Sequence, residues 1–99
     1  MNTTNAFLTE DQIDDIERRV NKASLGPWKS FIEGRDHTSG SSFIMTGSDR
    51  RRGSDLELCG ATDDDQDFIA AARQDIPLLL AEVRRLRLIV SKQSGDDVS

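Results

Sequence analysis

The chain has 99 residues, of which 35% are hydrophobic and 31% charged, and its formal net charge is −5. This length allows one small domain, and the modest apolar content favours a homo-oligomer whose copies cover one another. The acidic balance disfavours nucleic acid as a partner, because general nucleic-acid binders carry a basic excess. The single cysteine, Cys59, excludes an intrachain disulfide, and the sequence holds no Cys/His cluster for zinc.

The sequence also indicates where the protein resides and how far its domain extends. No apolar run approaches the ~20 residues that a membrane span requires, and the N-terminus lacks a basic-then-apolar signal pattern. We therefore expect a cytoplasmic protein with no membrane partner. We expect a flexible N-terminus over residues 1–8, a single α+β domain over residues 9–92 and a disordered tail over residues 93–99.

A first helix is predicted to begin after Thr9. The Thr9 side chain can accept a hydrogen bond from the backbone N–H of Gln12, whose side chain can reach back to Thr9. Acidic residues in the first turns suit the positive end of the helix dipole. Gly26-Pro27 is expected to end the segment. The apolar stripe of this first helix, at helical spacing, consists of Ile13, Ile16, Val20 and Ala23.

Three short strands are predicted in the middle of the chain, over residues 28–33, 42–46 and 55–60. Period-2 alternation is clearest in the last of them, where Leu56 and Leu58 share one face. Both connections are rich in Gly, Ser and Asp, which is typical of hairpin loops. The arginine triplet at residues 50–52 is therefore expected at the tip of the second hairpin.

Two helices are predicted after the strands. Thr62 or Asp63 caps the first, Pro77 interrupts it, and Asp75 caps a new helix at Ile76. The order αβββαα predicts an α+β domain with a three-stranded antiparallel sheet and its helices on one face. Apolar residues of the last helix follow an a/d heptad spacing and are expected to form the oligomer interface: Ile76, Leu79, Val83, Leu86 and Val90.

The candidates for catalysis and metal binding have simpler structural explanations. His37 lies near Asp36 and Ser39 in a turn-rich loop, but a catalytic triad needs rigid support for each group. Cys59 has no basic neighbour to lower its pKa and is expected to be a packing residue. The acidic run at residues 63–65 suits a helix N-terminus better than a cation site. We therefore predict a protein that is not an enzyme and has no metal or cofactor.

Two features leave a binding function open. The arginine triplet offers planar donor groups that match phosphate, but Asp49 and Asp55 flank it and charged hairpin tips are also common as solvated loops. Trp28 is either the anchor of the sheet against the helices or a stacking surface for a planar base. The residues alone leave both alternatives in place.

Two stretches resemble known phage proteins. Residues 23–28, ASLGPW, resemble the motif A-T/S-P-G-P-W, with Leu25 in place of the usual proline. Residues 65–80, DQDFIAAARQDIPLLL, resemble D-A-E-F-I-A-x-A-R-x-D-I-P-x-L-L. The pair is similar to small accessory proteins of temperate phages and prophages, including the ead-like early-region family and related actinophage proteins. The resemblance covers the end of the first helix and the C-terminal half, but not the arginine triplet.

The resemblance implies an anti-defence role in the host cytoplasm. One class of small phage accessory proteins forms oligomers that sequester a cyclic nucleotide signal without cleaving it. By this resemblance the ligand-binding residues are expected to be Trp28, Lys29, Arg50, Arg51, Arg52 and Arg73. The alternative is a homo-oligomeric protein-interaction module that acts on a host or phage protein through its last helix.

Overall fold

The computed structural model describes residues 7–98, and the side chains of residues 7–93. It confirms an α+β fold with a three-stranded antiparallel sheet, but it has two helices where the sequence predicts three. The elements follow the order α1 (Glu10–Lys22), β1 (Trp28–Phe31), β2 (Phe43–Ser48), β3 (Arg51–Arg52) and α2 (Asp63–Val98).

Both helices begin at reciprocal side-chain caps. The Thr9 hydroxyl accepts a hydrogen bond from Gln12 N at 3.0 Å, and Gln12 Oε1 accepts one from Thr9 N at 2.8 Å. At the start of α2, the Thr62 hydroxyl accepts from Asp65 N at 3.0 Å, and Asp65 Oδ2 accepts from Thr62 N at 3.1 Å. The predicted cap of α1 is therefore confirmed, and Thr62 rather than Asp63 caps α2.

The sheet has the order β1-β2-β3, and Trp28 pairs with Thr46 at one end of the β1–β2 ladder. Ser48 pairs with Arg51 across the second hairpin. Gly47 at φ +83° allows this tight return, since a Cβ there would lie 2.0 Å from the carbonyl oxygen of Arg51. This close approach restricts the position to glycine.

The predicted third strand over residues 55–60 is wrong in its location. β3 is Arg51–Arg52, and the later segment contributes only an isolated bridge between Leu56 and Ile44. Gly47 of β2 pairs with Arg52, and Ile44 of β2 forms the bridge to Leu56. Between these two pairings, the chain from Arg52 to Leu56 is one residue longer than the chain from Ile44 to Gly47. This extra residue bulges the chain and ends the regular ladder after two residues.

Pro77 does not divide the C-terminal segment, so the prediction of two helices there is wrong. α2 is one helix of 36 residues that contains Pro77. Proline removes the hydrogen bond to the carbonyl of Arg73, but tertiary contacts hold the helix on both sides of the gap. Gln74 binds β1, and Arg84 binds α1. α2 continues to Val98, through residues for which the sequence predicts a disordered tail.

The core is small and the molecule is elongated. α2 packs against β1, and α1 packs against α2. The Cα radius of gyration is 18.4 Å, whereas a compact domain of this length has a value of about 13 Å. A helix of 36 residues is about 54 Å long. α2 is therefore longer than its partners can cover. The buried apolar side chains are Ile13, Ile32, Ile44 and Ala70.

Candidate interaction surface

An apolar cleft of about 540 Å³ lies between α1 and α2. Leu8 lines it, as does Trp28 from the start of β1. The apolar stripe of α1, which the sequence predicts, forms one side of the cleft, and α2 forms the other. The helical residues of the two sides are Ile13, Ile16 and Val20 from α1 and Ile76, Leu79 and Val83 from α2.

Ion pairs join α1 to α2 at the edge of this cleft. Arg84 Nη2 lies 3.1 Å from a carboxylate oxygen of Asp14 and 2.6 Å from one of Glu17. These two hydrogen bonds raise the pKa of Arg84. Arg87 binds Glu10 at 3.1 Å and also donates to a backbone carbonyl of the preceding segment. Both arginines therefore hold α1 in place against α2.

The residues predicted as an oligomer interface form a largely exposed strip, which we call the α2 seam. The exposed fractions of its residues are 38% for Ile76, 63% for Leu79, 46% for Leu86 and 60% for Val90. Val83 is half-buried and contributes to the cleft. Several large apolar side chains left exposed along one helix are typical of a surface that binds another molecule. The α2 seam is defined by Ile76, Leu79, Val83, Leu86 and Val90.

Two of the predicted ligand-binding residues meet at one backbone carbonyl. Trp28 Nε1 donates to the carbonyl oxygen of Ser24 at 3.2 Å, and Arg73 Nε donates to the same oxygen at 2.9 Å. The Trp28 side chain is half-buried and lines the cleft. These contacts fix the turn between α1 and β1 against α2.

Lys29 lies on the other face of the sheet. Side chains alternate along a strand, so Lys29 and Phe31 face away from Trp28. Lys29 Nζ is 5.2 Å from the centroid of the Phe31 ring, which stacks on Phe43 at 5.2 Å. The His37 ring borders the same cluster, with its centroid 5.7 Å from that of Phe43. Among the residues that the structure describes, its buried Nε2 atom has no hydrogen-bond partner.

The arginine triplet occupies the turn and the short strand of the second hairpin. Arg50 lies in the turn, whereas Arg51 and Arg52 form β3. Arg52 binds Asp55 at 3.1 Å, as the flanking acids suggest. Within the described residues, Arg50 and Arg51 form no ion pair, and both are exposed. In the sheet, β2 lies between β3, which carries Arg51 and Arg52, and β1, which carries Trp28 and Lys29.

Gln66 is a structural residue that the sequence analysis missed. Only 4% of it is exposed, and its amide nitrogen donates to Ser30 Oγ and the Phe43 carbonyl at 3.0 Å and to the Phe31 carbonyl at 3.2 Å. One helical side chain therefore ties β1 and β2 together.

Gln74 makes a second amide contact to the sheet. Its Oε1 accepts from Trp28 N at 2.7 Å, and its Nε2 donates to the Trp28 carbonyl at 3.2 Å. Gln66, Ala70 and Gln74 are spaced four apart and share one face of α2. In the sequence, the signal for this face was the spacing Gln66, Ala70, Gln74, in which two amide side chains flank a small residue. This spacing predicts a helix face whose amides can bind the backbone of strands.

Arg35 connects the loop between β1 and β2 to α2, a contact that no sequence motif indicates. Its guanidinium binds both oxygens of Asp67, at 2.8 and 3.1 Å, and also binds Asp36. Hydrogen bonds from Arg35, and then from Ser30, lower the pKa of Asp67 to about 2. Arg35, followed by the Ile32 N–H, likewise lowers the pKa of Asp36.

The remaining chemical candidates are Cys59 and the acidic run at residues 63–65. Cys59 is exposed, so its expected packing role is wrong. Its chain segment turns away from β2 after the Leu56 bridge, and the side chain consequently lacks a packing partner across a ladder. Asp65 completes the cap at Thr62, which confirms capping for that member of the acidic run.

No helix in the described part of the chain is both long and apolar enough to cross a membrane. Comparison with protein-family models, curated proteins and solved structures yields no match.

Proposed function

We propose that the protein is a non-enzymatic binding module that self-associates through α2. By the resemblance of its two motifs to phage accessory proteins, we expect such a module to act on a host or phage protein by binding alone. One observation carries the proposal: the α2 seam lies at heptad spacing, yet it remains largely exposed in the single chain.

The energetics of the seam support association. Full burial of one Leu, Ile or Val side chain stabilises by about 2 kcal/mol. The small core and the elongated shape leave a single copy little further apolar area to bury. A second helix on the seam would remove this area from water, and it would also contact the cleft, one side of which Ile76, Leu79 and Val83 form. Self-association therefore accounts for the low apolar content and the surplus apolar surface of α2 together.

Replacing Leu79 with Asp should convert the assembly to single chains, because the charge would be buried in an apolar contact. Leu79 is 63% exposed in one chain, so the folded monomer tolerates the change. Sedimentation velocity measures the mass, and circular dichroism checks the helix content. The matched control is Leu88→Asp on the same helix, where 58% of the side chain is exposed outside the seam. An assembly that survives Leu79→Asp would refute association through the seam.

The second candidate function is sequestration of a cyclic nucleotide, through a site on the second hairpin. The observation that favours it is the exposure of Arg50 and Arg51 without an ion pair in the described residues. Their guanidinium groups match phosphate oxygens geometrically. The turn and β3 present both arginines at the edge of the sheet. This arrangement supports contact with a charged ligand.

Alanine at Arg50, Arg51 and Arg52 together should abolish nucleotide binding while leaving the melting temperature nearly unchanged. Calorimetric titration with cyclic di- and trinucleotides measures the affinity. A ligand at 100 times its Kd also stabilises the folded chain by about 2.7 kcal/mol. A control with equal loss of charge replaces Arg18, Arg85 and Lys92 with alanine. Equal affinity in the two triple variants would exclude the hairpin as the site, and flat titrations with the native chain would exclude this function.

A further inference from the structure

The cleft between α1 and α2 has the size and lining of a small-molecule site. Its volume is about 540 Å³. Ligand sites in proteins are mostly apolar clefts of about 300–1,000 Å³ in which a few polar groups fix the orientation of the ligand. Apart from Arg19 and Arg73, every described residue that lines this cleft is apolar or aromatic. The lining therefore matches a ligand with a large apolar part and an anionic group.

The two cleft arginines lie at the same end of the cleft. The contacts between the helices show that α1 and α2 run in opposite directions. Arg87 of α2 binds Glu10 at the start of α1, and Arg73 binds the carbonyl oxygen of Ser24 just after the end of α1. Arg19 lies in the last turn of α1. The cleft thus has a cationic end, where α1 ends, and is apolar along the rest of its length.

The charge at this end is available to an anion. Within the described residues, neither Arg19 nor Arg73 forms an ion pair. Arg73 donates its Nε–H to a neutral carbonyl oxygen, which leaves the positive charge uncompensated. Arg84 and Arg87, further along α2, are instead bound by carboxylates of α1. Because a guanidinium group matches a carboxylate, the cationic end favours a carboxylate over an uncharged group.

The apolar length of the cleft suits a single extended acyl chain. Arg73 and Val83 both line the cleft and lie ten residues apart on α2, a separation of about 15 Å in a helix. Nine C–C bonds of about 1.5 Å each span no more than this distance. The wall is open to solvent at Leu79, which is 63% exposed, so a flexible chain can enter from the side.

We propose that the cleft binds a free carboxylic acid with an unbranched apolar chain of about ten carbons. The carboxylate lies at Arg19 and Arg73, and the chain lies along Ile16 and Val20 of α1. This binding goes beyond the proposed self-association, because the ligand lies within one chain and needs no second copy. The α2 seam forms one side of the same cleft, so ligand binding and self-association are measured separately.

Fluorescence of Trp28 tests the site directly. Trp28 is the only tryptophan of the chain, and it lines the cleft. Titration of the full chain with decanoate, below its micelle-forming concentration, should change the emission and reach saturation. The controls are 1-decanol, which lacks the carboxylate, and acetate, which lacks the apolar chain. Each should bind more weakly than decanoate by about tenfold or more, because each makes only part of the contacts.

Paired variants test the two parts of the site. Arg19→Glu should weaken decanoate binding by about tenfold or more, because it places a like charge beside the carboxylate. Its matched control, Arg18→Glu, lies outside the cleft on the same helix and should change the affinity by less than about twofold. Ala72→Phe fills the cleft and should abolish the fluorescence response. Ala81→Phe adds the same ring at an exposed position outside the cleft and should retain the response.

The outcomes separate ligand binding from self-association. A native chain whose Trp28 emission does not respond to decanoate overturns the site, whatever its mass in sedimentation velocity. A chain that binds decanoate but sediments as a monomer at every concentration overturns only the self-association. Equal affinities for decanoate and 1-decanol, or for the Arg19→Glu and Arg18→Glu variants, overturn the position of the carboxylate. An Ala72→Phe variant with native circular dichroism and an undiminished response overturns the cleft as the site.

Discussion

Asp67 shows how one carboxylate contributes to the fold in a pH-dependent way. Its pKa lies at about 2, below the ordinary value of 3.8, chiefly because Arg35 donates hydrogen bonds to both of its oxygens. Since the pKa is lowered in the folded state, the unfolded chain takes up the proton first as the pH falls. The stabilisation by Asp67 is therefore complete well above pH 3.8, and it is lost as the pH falls towards about 2.

Replacing Asp67 with Asn should lower the melting temperature at pH 6. It should also make the decrease of the melting temperature between pH 4 and pH 2 smaller than in the native chain. The native chain loses the Arg35 contact over this interval, whereas the variant has no ionisation to lose at that position. Melting curves across the pH series measure the difference. Asp49→Asn, in the turn of the second hairpin, is the control and should fall in parallel with the native chain. Parallel curves for Asp67→Asn would contradict a stabilising Arg35–Asp67 contact.

At the scale of elements, Pro77 lies inside α2 at a cost that tertiary contacts offset. Proline in a helix interior is less favourable than alanine by about 3 kcal/mol, because it lacks the N–H and crowds the preceding turn. Gln74 and Arg84 hold the helix on either side. The helix therefore continues through a position where local preference favours a break.

Replacing Pro77 with Ala should raise the free energy of unfolding by about 2 kcal/mol, because it restores the missing hydrogen bond. Chemical denaturation measures the change. Leu78→Ala is a suitable control, since this neighbouring side chain is 69% exposed and its truncation restores no hydrogen bond. A Pro77→Ala protein that is less stable than the native chain would mean that contacts of the proline ring outweigh the backbone penalty.

The elements differ in how well the sequence predicts them, and the reasons are physical. The cap at Thr9 involves residues three apart, so it is visible as a local pattern. β3 depends on where a bulge falls between Arg52 and Leu56, and that is decided by pairing with β2. Helix continuity at Pro77 depends on contacts with β1 and α1, which are distant in the chain.

The candidate site shows the same division between local pattern and long-range contact. The α2 seam follows from periodicity within one helix, and its exposure agrees with a role in association. The predicted ligand-binding residues required knowledge of which side chains meet. Trp28 and Arg73 converge on Ser24, whereas Lys29 faces the opposite side of the sheet. The roles of Gln66 and Gln74 as contacts to strand edges are equally long-range.

At the scale of the whole molecule, the self-association proposed above predicts that stability depends on chain concentration. A chain that buries little apolar surface alone gains stability when a second copy covers α2. A hundredfold increase in chain concentration should then raise the melting temperature by several degrees, as expected from about 2.7 kcal/mol of mass-action stabilisation. Differential scanning calorimetry over this concentration range measures the shift. Leu79→Asp should remove the dependence, and a native melting temperature independent of concentration would contradict coupled association.

The amide of Gln74 has a consequence for how copies of this chain avoid aggregation. β1 is an edge strand, and an unpaired edge is a template onto which a strand from another molecule can add. By occupying both the N–H and the carbonyl of Trp28, Gln74 blocks this template at the start of β1. The protein thus closes part of a route to fibre-like polymers, which grow without limit by the addition of strands.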